Sequence, residues 1–257
     1  MSIKTILSDD DTRDDGRRLR LFCLPYAAGS ARIFSGWRRD LPGFVDVCPL
    51  ELPGHGRRNH EPPIGDLDEL MADLLAKVLP LTDRPFAILG YEYGAVLGFE
   101  MAHRLERHFD VVPRHLFVTA MRAPVWPRPA NPVSELSDEN FRELLRDRTG
   151  CSSDLLQSDS VMEFAIRVLR ADFRIADNYQ YVPEMAVTCP ITAFRGRDDK
   201  VVSREAIQAW NVCTKGPFRW QDLPGGHYFM YRARELFLRG LSAELGVYAK
   251  DSASVAG

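Results

Sequence analysis

No apolar run in this 257-residue sequence reaches the roughly 18 residues needed to cross a bilayer, which excludes a membrane-spanning helix. The amino terminus, MSIKTILSDDDTRDDGRR, lacks the apolar stretch and cleavage site of a secretory signal, so the expected compartment is the cytoplasm. Cysteine is sparse. Cys23, Cys48, Cys151, Cys189 and Cys213 are odd in number, widely spaced and form no CxxC pair, which points away from a disulfide framework or a zinc site and towards buried free thiols. An excess of one charge is also missing: 33 basic and 36 acidic residues give a formal charge of −3, with no extended basic stripe to meet a nucleic acid. There is no internal repeat and no low-complexity tract.

What is present is the composition of an ordinary globular domain, 45% hydrophobic and 27% charged. A chain of this length can bury a full core as one large domain. That domain is expected over residues 18–248 as a monomer, with the polar segments 1–17 and 249–257 as loosely held tails. Apolar runs at 18–25, 44–52, 85–90, 114–120, 190–196 and 217–225 read as six strands. Helical periodicity fills the intervals at 30–40, 66–79, 93–109, about 137–178, 203–213 and 228–245. A parallel crossover needs a helix-length connection, so this alternation predicts an α/β fold with a mostly parallel sheet and helices on both faces. The interval from about 121 to 189 breaks the alternation, beginning with MRAPVWPRPANP and carrying at least two helices. So long an insertion after a strand is expected to form a helical lid over the carboxyl edge of the sheet, with Met162, Phe164, Phe173, Tyr179 and Tyr181 in its own core.

The chemistry concentrates in three places. At PFAILGYEYGAVLGF an apolar strand runs through Gly90-Tyr91-Glu92-Tyr93-Gly94 directly into a helix, with glycines two positions either side of Glu92. Small flanking residues in a strand-turn-helix of this kind let a tight turn present its central side chain at the helix N-terminus. An acid follows a late strand at Gly196-Arg197-Asp198-Asp199, and a histidine follows the last strand at Gly225-Gly226-His227. In that order His227 is the base and an aspartate accepts its other ring N–H. The spacing Gly196, Asp199, Val202 favours Asp199 over its neighbour Asp198.

Together the segments LFCLPYAAGSARIFSGW, LELPGHGRR, the turn at Glu92, ADFRIADNYQY, the acid loop and LPGGHYFM resemble the type II thioesterases that accompany polyketide synthases and nonribosomal peptide synthetases, over about residues 20–245. The resemblance implies an α/β-hydrolase fold and removal of acyl groups from the phosphopantetheine arm of an acyl or peptidyl carrier protein by a Ser-His-Asp triad. It needs no cofactor and no metal. By the same resemblance Asp199 and His227 are the acid and base, Glu92 stands at the nucleophile's position, and the backbone N–H groups of Ala27 and Tyr93 form the oxyanion hole. Tyr26 and Tyr91 are expected at the substrate, Tyr91 and Tyr93 otherwise packing the turn.

The departure is local. Family members commonly read GHSMG where this chain reads GYEYG. Without a serine, acyl-serine hydrolysis is excluded. Three readings stay open: acid–base chemistry by Glu92 and His227 on a carrier-bound thioester (dehydration, cyclisation or epimerisation), carboxylate-assisted hydrolysis through a mixed anhydride, and a non-catalytic carrier-binding protein. His55, in Pro53-Gly54-His55-Gly56, reads as a turn residue, and His60, His103, His108 and His115 as surface or helix residues.

Overall fold

The computed structural model describes residues 18–127, 132–148 and 159–249. The expected tail 1–17, Cys151 and nearly all of the tail 249–257 lie outside the described residues. Six strands form one sheet: β1 (Leu19–Leu24), β2 (Val45–Pro49), β3 (Phe86–Tyr91), β4 (His115–Thr119), β5 (Ile191–Gly196) and β6 (Phe218–Leu223). Their order is β2-β1-β3-β4-β5-β6 and every pairing is parallel. Strands β3, β4 and β5 are buried at every residue, as strands covered on both faces must be, and this is why they read as continuous apolar runs.

Between the strands lie α1 (Trp37–Asp40), α2 (Leu67–Val78), α3 (Tyr93–Phe109), α4 (Asp138–Arg148), α5 (Asp159–Asn178) and α6 (Arg204–Gln208), and after β6 come α7 (Phe229–Arg232) and α8 (Arg234–Gly246). Helix α2 shows how the pattern works. Asp66 caps its first turn by accepting the Glu69 N–H at 2.9 Å, and Leu70, Met71, Leu74, Leu75 and Val78 turn one stripe to the sheet. Each such side chain contributes roughly 1.5–3 kcal/mol by burial. The sheet divides the core in two. On one face Phe22, Ile88 and Leu116 pack with α2, α3 and α5, and on the other Leu21, Leu89 and Phe117 pack with α1, α7 and α8.

Chain order places the site. From β1 the chain moves outward to β2, then crosses back to β3 and continues to β6, so the sheet order reverses between neighbouring strands β1 and β3. Loops leaving the carboxyl ends of those two strands diverge there and leave a crevice, the usual ligand position in an open parallel sheet. The β1 loop carries Tyr26 and Ala27; the β3 turn carries Glu92.

Helices α4 and α5 fall in the long β4–β5 connection. Two contacts anchor them: the Tyr179 hydroxyl donates to Glu100 of α3 at 2.8 Å, and the Ser134 N–H donates to Asp177 at 2.8 Å. Met162 and Tyr179 are buried in the shared core, with Phe173 and Tyr181 packed against it. Cys23, Cys48, Cys189 and Cys213 are buried and free, and burial pushes the thiols of Cys48, Cys189 and Cys213 up to about 12, which leaves them unreactive. His115 differs from expectation. It is not on the surface but begins β4, buried between Thr192 Oγ1 at 2.8 Å and Tyr248 Oη at 3.0 Å. Burial first, then the charge of Arg219, lowers its pKa to about 4, so it is a neutral core residue.

Candidate active site

The turn after β3 is as tight as its glycines suggest. A Cβ on Gly90 would collide with the Gly94 carbonyl and the Ala95 backbone; one on Gly94 would collide with the Leu24 and Pro25 carbonyls. Between them Glu92 sits at φ +51°, ψ −116°, outside the regions that side-chain-bearing residues prefer. The strain is held from both sides. The Glu92 N–H donates to the Thr119 carbonyl at the end of β4 at 2.7 Å, and the Glu92 carbonyl accepts the Ala95 N–H at 2.8 Å as α3 begins. Glu92 is thus the N-cap of a 17-residue helix, where the helix dipole favours negative charge.

His227 and Asp199 come from loops that follow β6 and β5. The Asp198 N–H donates to the Gly225 carbonyl at 2.9 Å and ties the two loops together. His227 Nδ1 lies 2.9 Å from Asp199 Oδ2, while Asp199 Oδ1 accepts the N–H groups of Val201 at 2.7 Å and Val202 at 3.1 Å. With both oxygens engaged the carboxylate cannot rotate, so Nδ1 carries the proton and Nε2 is left as an acceptor. Burial pushes the Asp199 carboxyl up, but the bonds from His227, Val202 and Val201 outweigh it and hold it below the usual range. Asp198 is exposed and faces away. No hydrogen bond joins His227 to Glu92: Nε2 is buried with no partner among the described residues.

The Glu92 carboxylate has gone elsewhere. Its Oε2 accepts the Ala27 N–H at 2.9 Å, so the side chain occupies one donor of the expected oxyanion hole. The Tyr93 N–H, first in α3, has no acceptor among the described residues. Tyr26 is half-buried, its hydroxyl 3.0 Å from that of Tyr231 and its ring edge-on to Tyr91 and Tyr228 at 5.9 Å each. Tyr91, expected at the substrate, is fully buried; its hydroxyl donates to the His227 carbonyl at 2.7 Å. It braces the histidine loop, because side chains alternate along β3 and position 91 points into the core beneath that loop.

Over residues 19–245 the chain matches the thioesterase domain family. It belongs to that family. The thioesterase fold and the relatives agree. The chain is 37% identical over 217 residues to the gramicidin S biosynthesis protein GrsT of Aneurinibacillus migulanus, covering 84% of this chain and 85% of the relative. Among solved structures, the RedJ thioesterase from the prodiginine biosynthetic pathway in Streptomyces coelicolor shares 35% identity at TM-score 0.80, covering 88% of this chain and 85% of that one. The type II thioesterase BorB from the borrelidin biosynthetic cluster shares 33% at TM-score 0.78, covering 88% and 92%. The six-stranded sheet is the α/β-hydrolase sheet of these thioesterases, and a thioesterase-like role follows.

One residue beside this candidate site escaped the sequence reading, and His55 does more than shape its turn. Asp172 of α5 is buried, and its Oδ2 accepts both the Ala28 N–H at 2.7 Å and a bond from His55 Nε2 at 3.0 Å. His55 Nδ1 faces the Pro53 carbonyl at 2.9 Å. Two acceptors flank one imidazole, and only the doubly protonated ring donates to both. Burial works against that charge, but the Asp172 carboxylate, the Pro53 carbonyl and the charge of Glu51 outweigh it, so the pKa of His55 is raised. The Pro53-Gly54-His55-Gly56 turn, helix α5 and the Ala27–Ala28 loop are therefore pinned at one carboxylate. The signal for Asp172 lay in the ADFRIADNYQY segment, an acid on the apolar stripe of a helix. No group of three or more His, Cys, Asp or Glu side chains suited to a metal, and no helix long and apolar enough to cross a membrane, occurs among the described residues.

Proposed function

We propose that this thioesterase-family protein acts on acyl or peptidyl thioesters carried on the phosphopantetheine arm of a carrier protein, and that Glu92 and His227, the latter oriented by Asp199, move protons rather than form an acyl-enzyme. The observation that carries the proposal is the Glu92 carboxylate bonded to the Ala27 N–H beside a histidine whose Nε2 is buried and unpartnered. A substrate carbonyl entering that hole would have to displace the carboxylate, which weakens tetrahedral chemistry there. On this reading Glu92 Oε1 and His227 Nε2 serve as two separate proton-handling groups. For a 3-hydroxyacyl thioester, one of them takes the proton on C2 while the other, protonated, gives a proton to the departing hydroxyl; the products are the 2-enoyl thioester and water. Proton transfer on and off C2 alone gives epimerisation, and addition of a chain alcohol across a 2-enoyl double bond, its oxygen bonding C3 while C2 takes a proton, gives cyclisation with the thioester intact. The β4–β5 insertion is the lid over this chemistry, and its Asp172 anchor supports that role by tying α5 to the Ala27 loop.

One observation favours a second reading. A carboxylate already seated in the hole leaves a protein that binds the acylated carrier without turning it over. A single experiment separates these. Intact mass of the acylated carrier is followed with wild type, Glu92→Gln, Glu92→Ser and His227→Ala. Water lost with the thioester intact means dehydration, free carrier thiol means release of the acyl group, and unchanged mass with altered chromatography means cyclisation or epimerisation. On the proposal, Glu92→Gln and His227→Ala each slow the reaction by about 10² to 10⁴. Equal rates for wild type and Glu92→Gln would overturn it, and binding without any turnover by wild type would establish the second reading.

A further inference from the structure

We infer that the Tyr93 hydroxyl determines specificity by reading an alcohol on the acyl chain close to the thioester, an inference that rests on the function proposed above. Among the described residues two buried side-chain polar atoms lack a hydrogen-bond partner, Tyr93 Oη and His227 Nε2. Tyr93 Oη lies within electrostatic reach of the carboxylate of Glu92, the group that bonds the Ala27 N–H. Tyr93 follows Glu92 directly as the first residue of α3, and His227 is the histidine held by Asp199. At 1% exposure Tyr93 is closed to bulk water, and a buried donor left unpaired keeps its desolvation penalty. The ring lies in the apolar cluster that also contains Ala27 of the β1 loop and Phe141, Met162 and Leu169 of the β4–β5 insertion. A hydroxyl in that setting, with no native acceptor, is matched only when a ligand supplies one.

The surroundings specify the ligand group. Burial, reinforced by the charges of Asp172 and Glu92, pushes the Tyr93 hydroxyl well above its ordinary pKa, so it stays protonated and donates. Two neighbouring carboxylates repel an anionic ligand group. A methylene offers no acceptor, and a ketone accepts from Tyr93 without returning a proton. An alcohol does both: its oxygen accepts the Tyr93 O–H, and its own proton is available to the neighbouring Glu92 carboxylate. A site that satisfies buried polar groups with a substrate hydroxyl discriminates strongly against the analogue lacking it.

The test measures binding, separately from turnover. Non-reacting amide analogues of butyryl-, 3-oxobutyryl- and 3-hydroxybutyryl-pantetheine, with nitrogen in place of the thioester sulfur, are titrated calorimetrically into wild type and Tyr93→Phe. Wild type should prefer the 3-hydroxy analogue over butyryl by at least about tenfold, with the 3-oxo analogue between them. In Tyr93→Phe the ratio should fall to about one, and the variant should melt at or above the wild-type temperature because no native hydrogen bond is removed. Equal affinities in wild type, a preference that survives Tyr93→Phe, or a melting temperature several degrees lower would each overturn the inference. Preference for the 3-hydroxy analogue with no turnover of any carrier-bound thioester would sink the acid–base function and sustain this one. Turnover without preference would do the reverse.

Discussion

The backbone N–H of Ala27 donates to the carboxylate of Glu92 across 2.9 Å, joining the loops that leave β1 and β3. These two strands are neighbours in the sheet but not in the chain, and the bond spans the point where strand order reverses. One side chain therefore decides whether the crevice holds an open anion site or a resident anion. Nearby, His227 Nδ1 and Asp199 Oδ2 are 2.9 Å apart, a bond fixed by the Val201 and Val202 amides.

Shortening Glu92 should free the Ala27 amide and make position 92 nucleophilic. In Glu92→Ser the Ala27 N–H is released and a hydroxyl replaces the carboxylate beside His227 Nε2, which can then take its proton. The expected outcome is covalent labelling of Glu92→Ser at residue 92 by a fluorophosphonate, with wild type unlabelled there, read by peptide mass. A folded Glu92→Ser that resists the probe would show that His227 does not address position 92.

Asp199→Asn should leave the fold and slow turnover by about 10² to 10⁴, because the amide no longer fixes the proton on Nδ1. The same residue sets an acid limit to stability. Its carboxyl is held below the usual value in the folded chain. Its contribution is thus present above the unfolded value of about 3.9 and lost as pH falls through the lower folded value. Melting temperature measured from pH 5 down to pH 2 should fall less steeply in Asp199→Asn than in wild type.

The His55–Asp172 pair has the opposite sign. The His55 pKa is raised, so its contribution is fully present below the unfolded value of about 6.5 and is lost as pH rises through the folded value. Wild type should lose melting temperature as pH rises above that range. In Asp172→Asn this dependence should flatten, with an overall loss of about 3 kcal/mol, because a buried ion pair missing one member leaves the other uncompensated. A pH profile unchanged by Asp172→Asn would show that His55 is neutral.

Gly94→Ala tests the turn itself. A Cβ there meets the Leu24 and Pro25 carbonyls, backbone atoms that cannot swing aside. Destabilisation of more than about 3 kcal/mol in chemical denaturation is expected, well above the ordinary cost of a surface change. A loss under 1 kcal/mol would mean that the β1 loop and α3 are less tightly apposed.

The sequence alone determined the strands to within one or two residues at most ends, because strands buried on both faces leave continuous apolar runs whose limits Pro and Gly mark. It also set out Glu92, Asp199 and His227, whose spacing relative to those strands is local. The segments 1–17 and 151, and nearly all of 249–257, lie outside what the structure describes. Which groups touch was a different matter. Asp172 reaches Ala28 and His55 across 144 and 117 residues of chain, and Tyr91 reaches the His227 carbonyl across 136. Whether Glu92 turns to His227 or to the Ala27 amide depends on a choice of side-chain direction that no periodicity encodes. Tertiary structure decided it, because the Ala27 N–H comes within 2.9 Å of the Glu92 carboxylate only when β1 and β3 lie side by side.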